Sequence, residues 1–167
     1  MKNQKRLSRE IIDRFFEKDL PYRLDMLNAF DSMIWKDFNF QSCSDFFRLR
    51  VCTVEASRII QRVFIEFLGL KVNPQKELTS IEKYKNDDVC ITYLGGKLVD
   101  PKKLTDSEKD ILVKAYITGN KSTAHLTFNP DKNTGYAEVL EPGAKLINKL
   151  LKENLFDVVG REMKGYT

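Results

Sequence analysis

Residues 43 to 69 constrain this chain more than any other stretch. At 100° per residue, Phe46, Leu49, Cys52, Ala56, Ile59, Ile60, Val63, Phe64 and Phe67 share one broad arc. Phe47, Val51, Val54 and Ile65 form a second stripe. A helix that is apolar on two sides needs neighbours on two sides, so the spacing predicts the central helix of a bundle. Arg48, Glu55, Arg58, Arg62 and Glu66 run between the stripes. Glu55/Arg58 and Arg62/Glu66 stand at i,i+3 and i,i+4, the spacing of ion pairs on a helix face. Gly69 is a helix-ending residue.

The flanking sequence supplies partners for that helix. Ser8 is suited to cap a helix that carries Leu7, Ile11, Ile12, Phe15 and Phe16 on one face. Pro21 suits the first turn of a second helix, with Leu24, Leu27, Phe30 and Ile34 as its stripe and Trp35 and Phe38 closing it. A polar link holding Pro74 follows the central helix. Thr79 and Glu82 have capping-box spacing and predict a short helix from Ser80. Val89 to Leu94 alternates weakly and precedes Gly95-Gly96, which gives a small hairpin with Lys97 to Val99 or an extended loop. Thr105 and Glu108 form a second capping box, opening a helix through Ile111, Leu112, Ala115 and Tyr116. A last helix starts near Pro142 and carries Leu146, Ile147, Leu150 and Leu151, extended by Leu155 to Val159. The fold class is therefore mainly α, a helical bundle around one long helix with room for one small β-hairpin.

With 167 residues, 42% of them hydrophobic, the chain is long enough to bury one core, and no stretch has the composition of a linker. The expectation is a single domain over 1–167, loose at 1–5 and 161–167. The three cysteines, Cys43, Cys52 and Cys90, lack metal-ligand spacing and read as small buried residues. Asp13 and Glu17 interrupt any signal-peptide core, and no apolar run reaches the ~20 residues of a membrane span. These features imply a cytoplasmic chain without a membrane partner. The net charge of +4 is compatible with an acidic partner such as RNA.

The chemistry concentrates in Gly119-Asn120-Lys121-Ser122-Thr123-Ala124-His125, which holds the one histidine of the chain. Imidazole suits proton transfer near neutral pH. On a continuous helix, Lys121 and His125 share a face at i,i+4. The lysine would keep the histidine neutral, and it would hold a phosphate. No nucleophile elbow, EF-hand loop or glycine-rich phosphate loop is present, and one histidine cannot build a multi-histidine metal site. No cofactor is expected. The same histidine would alternatively cap a helix end or pack beside Leu126 and Phe128.

A helical bundle with a late helix carrying Asn120 and, five residues on, His125 resembles the HEPN superfamily of small prokaryotic helical proteins. Many of its members are toxins, phage-defence factors or RNA-processing enzymes. Their motif is an arginine, often a polar residue after it, and a histidine four to six residues on. Asn120 matches the polar position and His125 the histidine, while Gly119 stands where the arginine would be and Lys121 supplies the nearest cation. The resemblance implies a metal-independent endoribonuclease with His125, Lys121 and Asn120 at its site. It also implies a homodimer whose interface includes the helix carrying residues 106 to 125. A non-catalytic helical dimer that binds RNA or a protein partner is the alternative.

Overall fold

The computed structural model describes residues 7–32, 43–85, 88–121 and 136–165. The first described residues lead into one continuous helical rod. Ser8 caps it, its Oγ accepting from the Ile11 N–H at 3.3 Å. Helix α1 (Arg9–Arg14) passes through a π-helical turn (Phe15–Asp19) into α2 (Leu20–Ser32). Pro21 lies in the first turn of α2, as its fixed φ favours. The chain does not break there, because the wider π turn precedes the proline and Leu20 N–H donates back to Phe15. Leu20, Leu24 and Leu27 are each 3% exposed or less. Ile34, Trp35 and Phe38 lie outside the described residues.

Helix α3 (Cys43–Phe67) is the predicted long helix, and it packs against α2, α4 and α5. Val54, Ile60, Phe64, Ile65 and Phe67 are buried on it. The two-sided pattern is incomplete, because Val51, Cys52, Ile59 and Val63 face outward. Cys52 thus corrects the expectation of buried cysteines, which Cys90 at 3% exposure meets. Both expected ion pairs form, Arg58–Glu55 and Arg62–Glu66 at 3.1 Å each. Gly69 ends the helical run at φ +93°, where an L side chain would be strained and would collide with Leu98.

The hairpin lies elsewhere than the sequence suggested. Strands β1 (Leu70–Val72) and β2 (Leu78–Ser80) pair antiparallel, Leu70 opposite Ser80 and Val72 opposite Leu78. Asn73 and Pro74 open the turn between them, and Asn73 Oδ1 accepts from Glu77 N–H at 2.8 Å. No helix starts at Ser80, because the Thr79 hydroxyl donates across the hairpin to Lys71 O instead of capping. Ile91–Leu94 is a 3-10 turn, not a strand. Its apolar pair is spaced by three, and Ile91 and Leu94 are both buried.

Helix α4 (Asp106–Lys121) opens on the predicted capping box. Thr105 Oγ1 accepts from Glu108 N–H at 3.2 Å, and Glu108 Oε2 accepts from Thr105 N–H at 2.9 Å. Lys149 Nζ donates to the same carboxylate at 2.9 Å, and that bond together with the two from Thr105 holds Glu108 down at about 2. Helix α5 (Tyr136–Leu151) begins earlier than expected, so Pro142 sits inside it. The proline keeps a helical φ and forgoes one backbone bond. Buried Val139, Leu140 and Ala144 hold that turn against the core. A second π turn (Lys152–Phe156) carries α5 into α6 (Asp157–Val159), the expected extension. Arg161 pairs with Asp13, and its guanidinium lies 4.4 Å from the Phe16 ring centre.

Two glycines set how closely α4 and α5 approach α3. A Cβ on Gly119 would lie 2.6 Å from Arg58 O and 3.0 Å from Arg62 Cβ, and one on Gly143 would run into the Gln61 side chain. Gln61 Nε2 in turn donates to Leu140 O at 2.6 Å. Gly119→Ala should therefore destabilise the fold by about 1–2 kcal/mol. Overpacking costs roughly 1–3 kcal/mol, and a helical Gly→Ala change returns about 0.5–1. Urea denaturation measures it, and a stabilised variant would show that α4 does not rest on the α3 backbone.

Candidate functional site

A cleft of about 600 Å³ opens where the C-terminal half of α3 meets the rest of the molecule. Its floor is apolar and aromatic, from Phe15, Leu20, Val63, Phe64 and Phe67. Phe15 and Phe67 stack at 6.3 Å between ring centres, which ties the π turn to the end of α3. Ile81, Tyr84 and Val89 form the far wall, and α4 contributes Tyr116.

Charge is distributed unevenly around this floor. Arg23, Arg62, Lys71, Lys83 and Lys85 line the cleft, against the carboxylates of Glu66 and Asp88. Arg23 pairs with Asp19 at 3.9 Å and Arg62 with Glu66 at 3.1 Å. Lys71, Lys83 and Lys85 form no ion pair among the described residues. The hairpin places Lys71, since β1 leaves α3 immediately after Gly69. Isolated surface cations in a concave, low-dielectric setting raise the local concentration of anions.

Glu66 organises the inner wall. Its Oε1 accepts from Arg62 Nε at 3.1 Å and from Tyr116 OH at 2.9 Å, and its backbone carbonyl accepts from Tyr84 OH at 3.2 Å. The Arg62 guanidinium also stacks 5.3 Å from the Tyr116 ring centre. Burial pushes the Tyr84 phenol up to about 12, helped by nearby Cys90, Asp88, Tyr93 and Glu66. Tyr116 is raised as well, first by burial and then by donating to Glu66. Both phenols therefore stay protonated donors across the physiological range.

The sequence-derived site residues stand apart from this geometry. Asn120 and Lys121 are the last two residues of α4, placed by backbone only, and His125 lies outside the described residues. The i,i+4 relation of Lys121 and His125 lies outside them too. Gly119, which the resemblance alone would set at an arginine position, is buried against α3 with no room for a side chain. The cleft itself escaped sequence reasoning. Its residues come from positions 15–23, 62–71, 81–89 and 116, and no local motif links them. The Arg62/Glu66 pair was visible, but nothing marked it as a cleft wall.

Among the described residues no cluster of His, Cys, Asp and Glu is arranged to hold a metal ion, and no helix is long and apolar enough to cross a membrane. No family model, curated protein or solved structure matches this chain.

The Tyr84 bond has a pH signature. A phenol whose folded pKa is raised from 10.0 to about 12 contributes stability in full below pH 10 and loses it as pH climbs towards 12. Tyr84→Phe should be less stable than the parent by about 1 kcal/mol at pH 8, the worth of one hydrogen bond. The gap should close between pH 10 and 12. Denaturant midpoints across that range measure it, and a constant gap would mean that Tyr84 titrates normally.

Proposed function

We propose that this protein is a HEPN-like helical module that binds single-stranded RNA in the cleft bounded by α2, α3, α4 and residues 81–85 and 88–89. The observation that carries the reading is the pairing of five basic side chains and two carboxylates with an aromatic floor. Cations hold a phosphate backbone without regard to sequence. Phe64 and Phe67 are buried in the floor, and the half-buried Phe15, Tyr84 and Tyr116 are the rings that unpaired bases would meet, bases that a duplex would keep hidden. An acidic peptide would use the cations but has no use for the stacking surfaces.

Binding should be strongly salt-dependent. The triple variant Lys71→Ala, Lys83→Ala, Lys85→Ala should bind a fluorescent RNA octamer at least about tenfold more weakly at low salt. Its plot of log affinity against log salt should be shallower by about 2, since each lost single-strand phosphate contact removes roughly 0.7 of slope. An unchanged slope in anisotropy titrations would place RNA elsewhere or nowhere on this protein.

A second reading adds catalysis, supported by the course of α4. Position 120 follows Tyr116 by four residues, on the same face of the helix. Residues 120 and 121 thus continue α4 from the cleft wall, and His125 follows four residues later in the sequence, outside the described residues. In this reading the protein is a metal-independent endoribonuclease, working as a homodimer. His125 takes the proton of the ribose 2′-hydroxyl as that oxygen bonds to phosphorus and the bond to the 5′-oxygen breaks, the leaving oxygen taking a proton from water. Lys121 holds the phosphate and Asn120 orients the histidine. His125→Ala should then abolish RNA cleavage while leaving RNA binding intact, and EDTA should not inhibit. Gel assays of purified protein decide it, and absence of cleavage alongside tight binding leaves the non-catalytic module.

A further inference from the structure

Resting on the reading that the cleft binds single-stranded RNA, we infer that Glu66 makes the site choose among bases, favouring cytidine over uridine. The inference starts from how the carboxylate is held. Oε1 already accepts two hydrogen bonds, from Arg62 and Tyr116. These two donors come from different helices and fix the carboxylate in one orientation. Oε2 has no hydrogen-bond partner among the described residues, and Glu66 lines the cleft. The site therefore offers one oriented, negatively charged acceptor beside an aromatic floor.

Such an acceptor separates the two pyrimidines, which have the same shape. Cytosine presents an amino group at position 4, a donor that a glutamate oxygen accepts. Uracil presents a carbonyl oxygen there, and a carboxylate facing it gains no hydrogen bond and meets a like partial charge. The Glu66 side chain is 37% exposed in the free cleft, and a base seated against it displaces the water there, so an analogue that leaves Oε2 without a donor is disfavoured. The guanidinium of Arg62 is tied to Glu66 Oε1, so the carboxylate cannot turn away to relieve that mismatch without giving up the ion pair. Guanine, whose paired donors ask for both carboxylate oxygens, is disfavoured because Oε1 is occupied.

The test is a comparison of r(C)8 and r(U)8 by fluorescence anisotropy, with CMP and UMP as competitors, on the full chain. The wild type should bind r(C)8 about tenfold more tightly than r(U)8. Glu66→Gln, whose amide offers both a donor and an acceptor, should bring that ratio close to one while r(U)8 binding is kept. Tyr116→Phe removes one of the two donors that fix the carboxylate, and it should lower the ratio with less effect on r(U)8 affinity. Equal wild-type affinities for the two octamers would overturn the base assignment and leave the RNA-binding reading standing. Failure of both octamers to bind would overturn that reading itself. CMP binding as tightly as r(C)8 would keep the base assignment and overturn the strand.

Discussion

The contact on which the rest depends is the close approach of α4 to α3 at Gly119. The helix rests on the Arg58 carbonyl and the Arg62 side-chain stem, with no Cβ between them. One turn earlier on α4 that approach brings Tyr116 to Glu66, and one turn later on α3 it sets Arg62 against the Tyr116 ring. The inner wall of the cleft follows from a backbone distance. On the other flank Gly143 lets α5 close over Gln61, whose amide donates to the Leu140 carbonyl. The central helix is thereby held between two glycine contacts, and its C-terminal half is fixed where the cleft forms.

The electrostatics of that cleft divide into two kinds of cation. Arg23 and Arg62 are engaged with carboxylates and serve mainly to orient them. Pairs of this exposure contribute little to stability, of the order of 0–1 kcal/mol. Lys71, Lys83 and Lys85 are the cations that bring net positive charge to the rim. They arrive through the hairpin and the irregular segment after it, so the binding surface depends on elements that hold little of the core. The two tyrosines supply neutral donors with raised pKa values. The chemistry suits holding a strand better than transferring a proton within the cleft itself.

How much of this was legible in the sequence depends on the length scale of each signal. The long helix is readable because 25 residues give seven turns over which an apolar period repeats. Ser8, Thr105 and Glu108 are readable because a cap is a local hydrogen bond between residues three apart. The hairpin was missed because strands of three residues show no period, although Asn73-Pro74 between Leu70-Lys71-Val72 and Leu78-Thr79-Ser80 was a turn signal. Ile91 to Leu94 misled because β-branched residues also suit a 3-10 turn when the buried pair is spaced by three. Pro142 misled in the opposite sense, since tertiary packing carries a helix through it. The cleft was not legible at all. It joins residues up to a hundred positions apart, and the packing that joins them turns on glycines, which carry no periodic signal. The histidine stretch drew attention because it is chemically distinctive, yet only Gly119, Asn120 and Lys121 of it belong to α4, and His125 lies outside the described residues.

The most direct measurement for the central claim is amide hydrogen exchange of the protein with and without a saturating RNA octamer. Protection is expected to rise in the C-terminal half of α3, in residues 70–72 and 81–89, and around Tyr116, with little change in α5. Protection confined to α1 and the 161–165 tail, or no change anywhere at RNA concentrations that saturate binding, would contradict the assignment of this cleft as the RNA site.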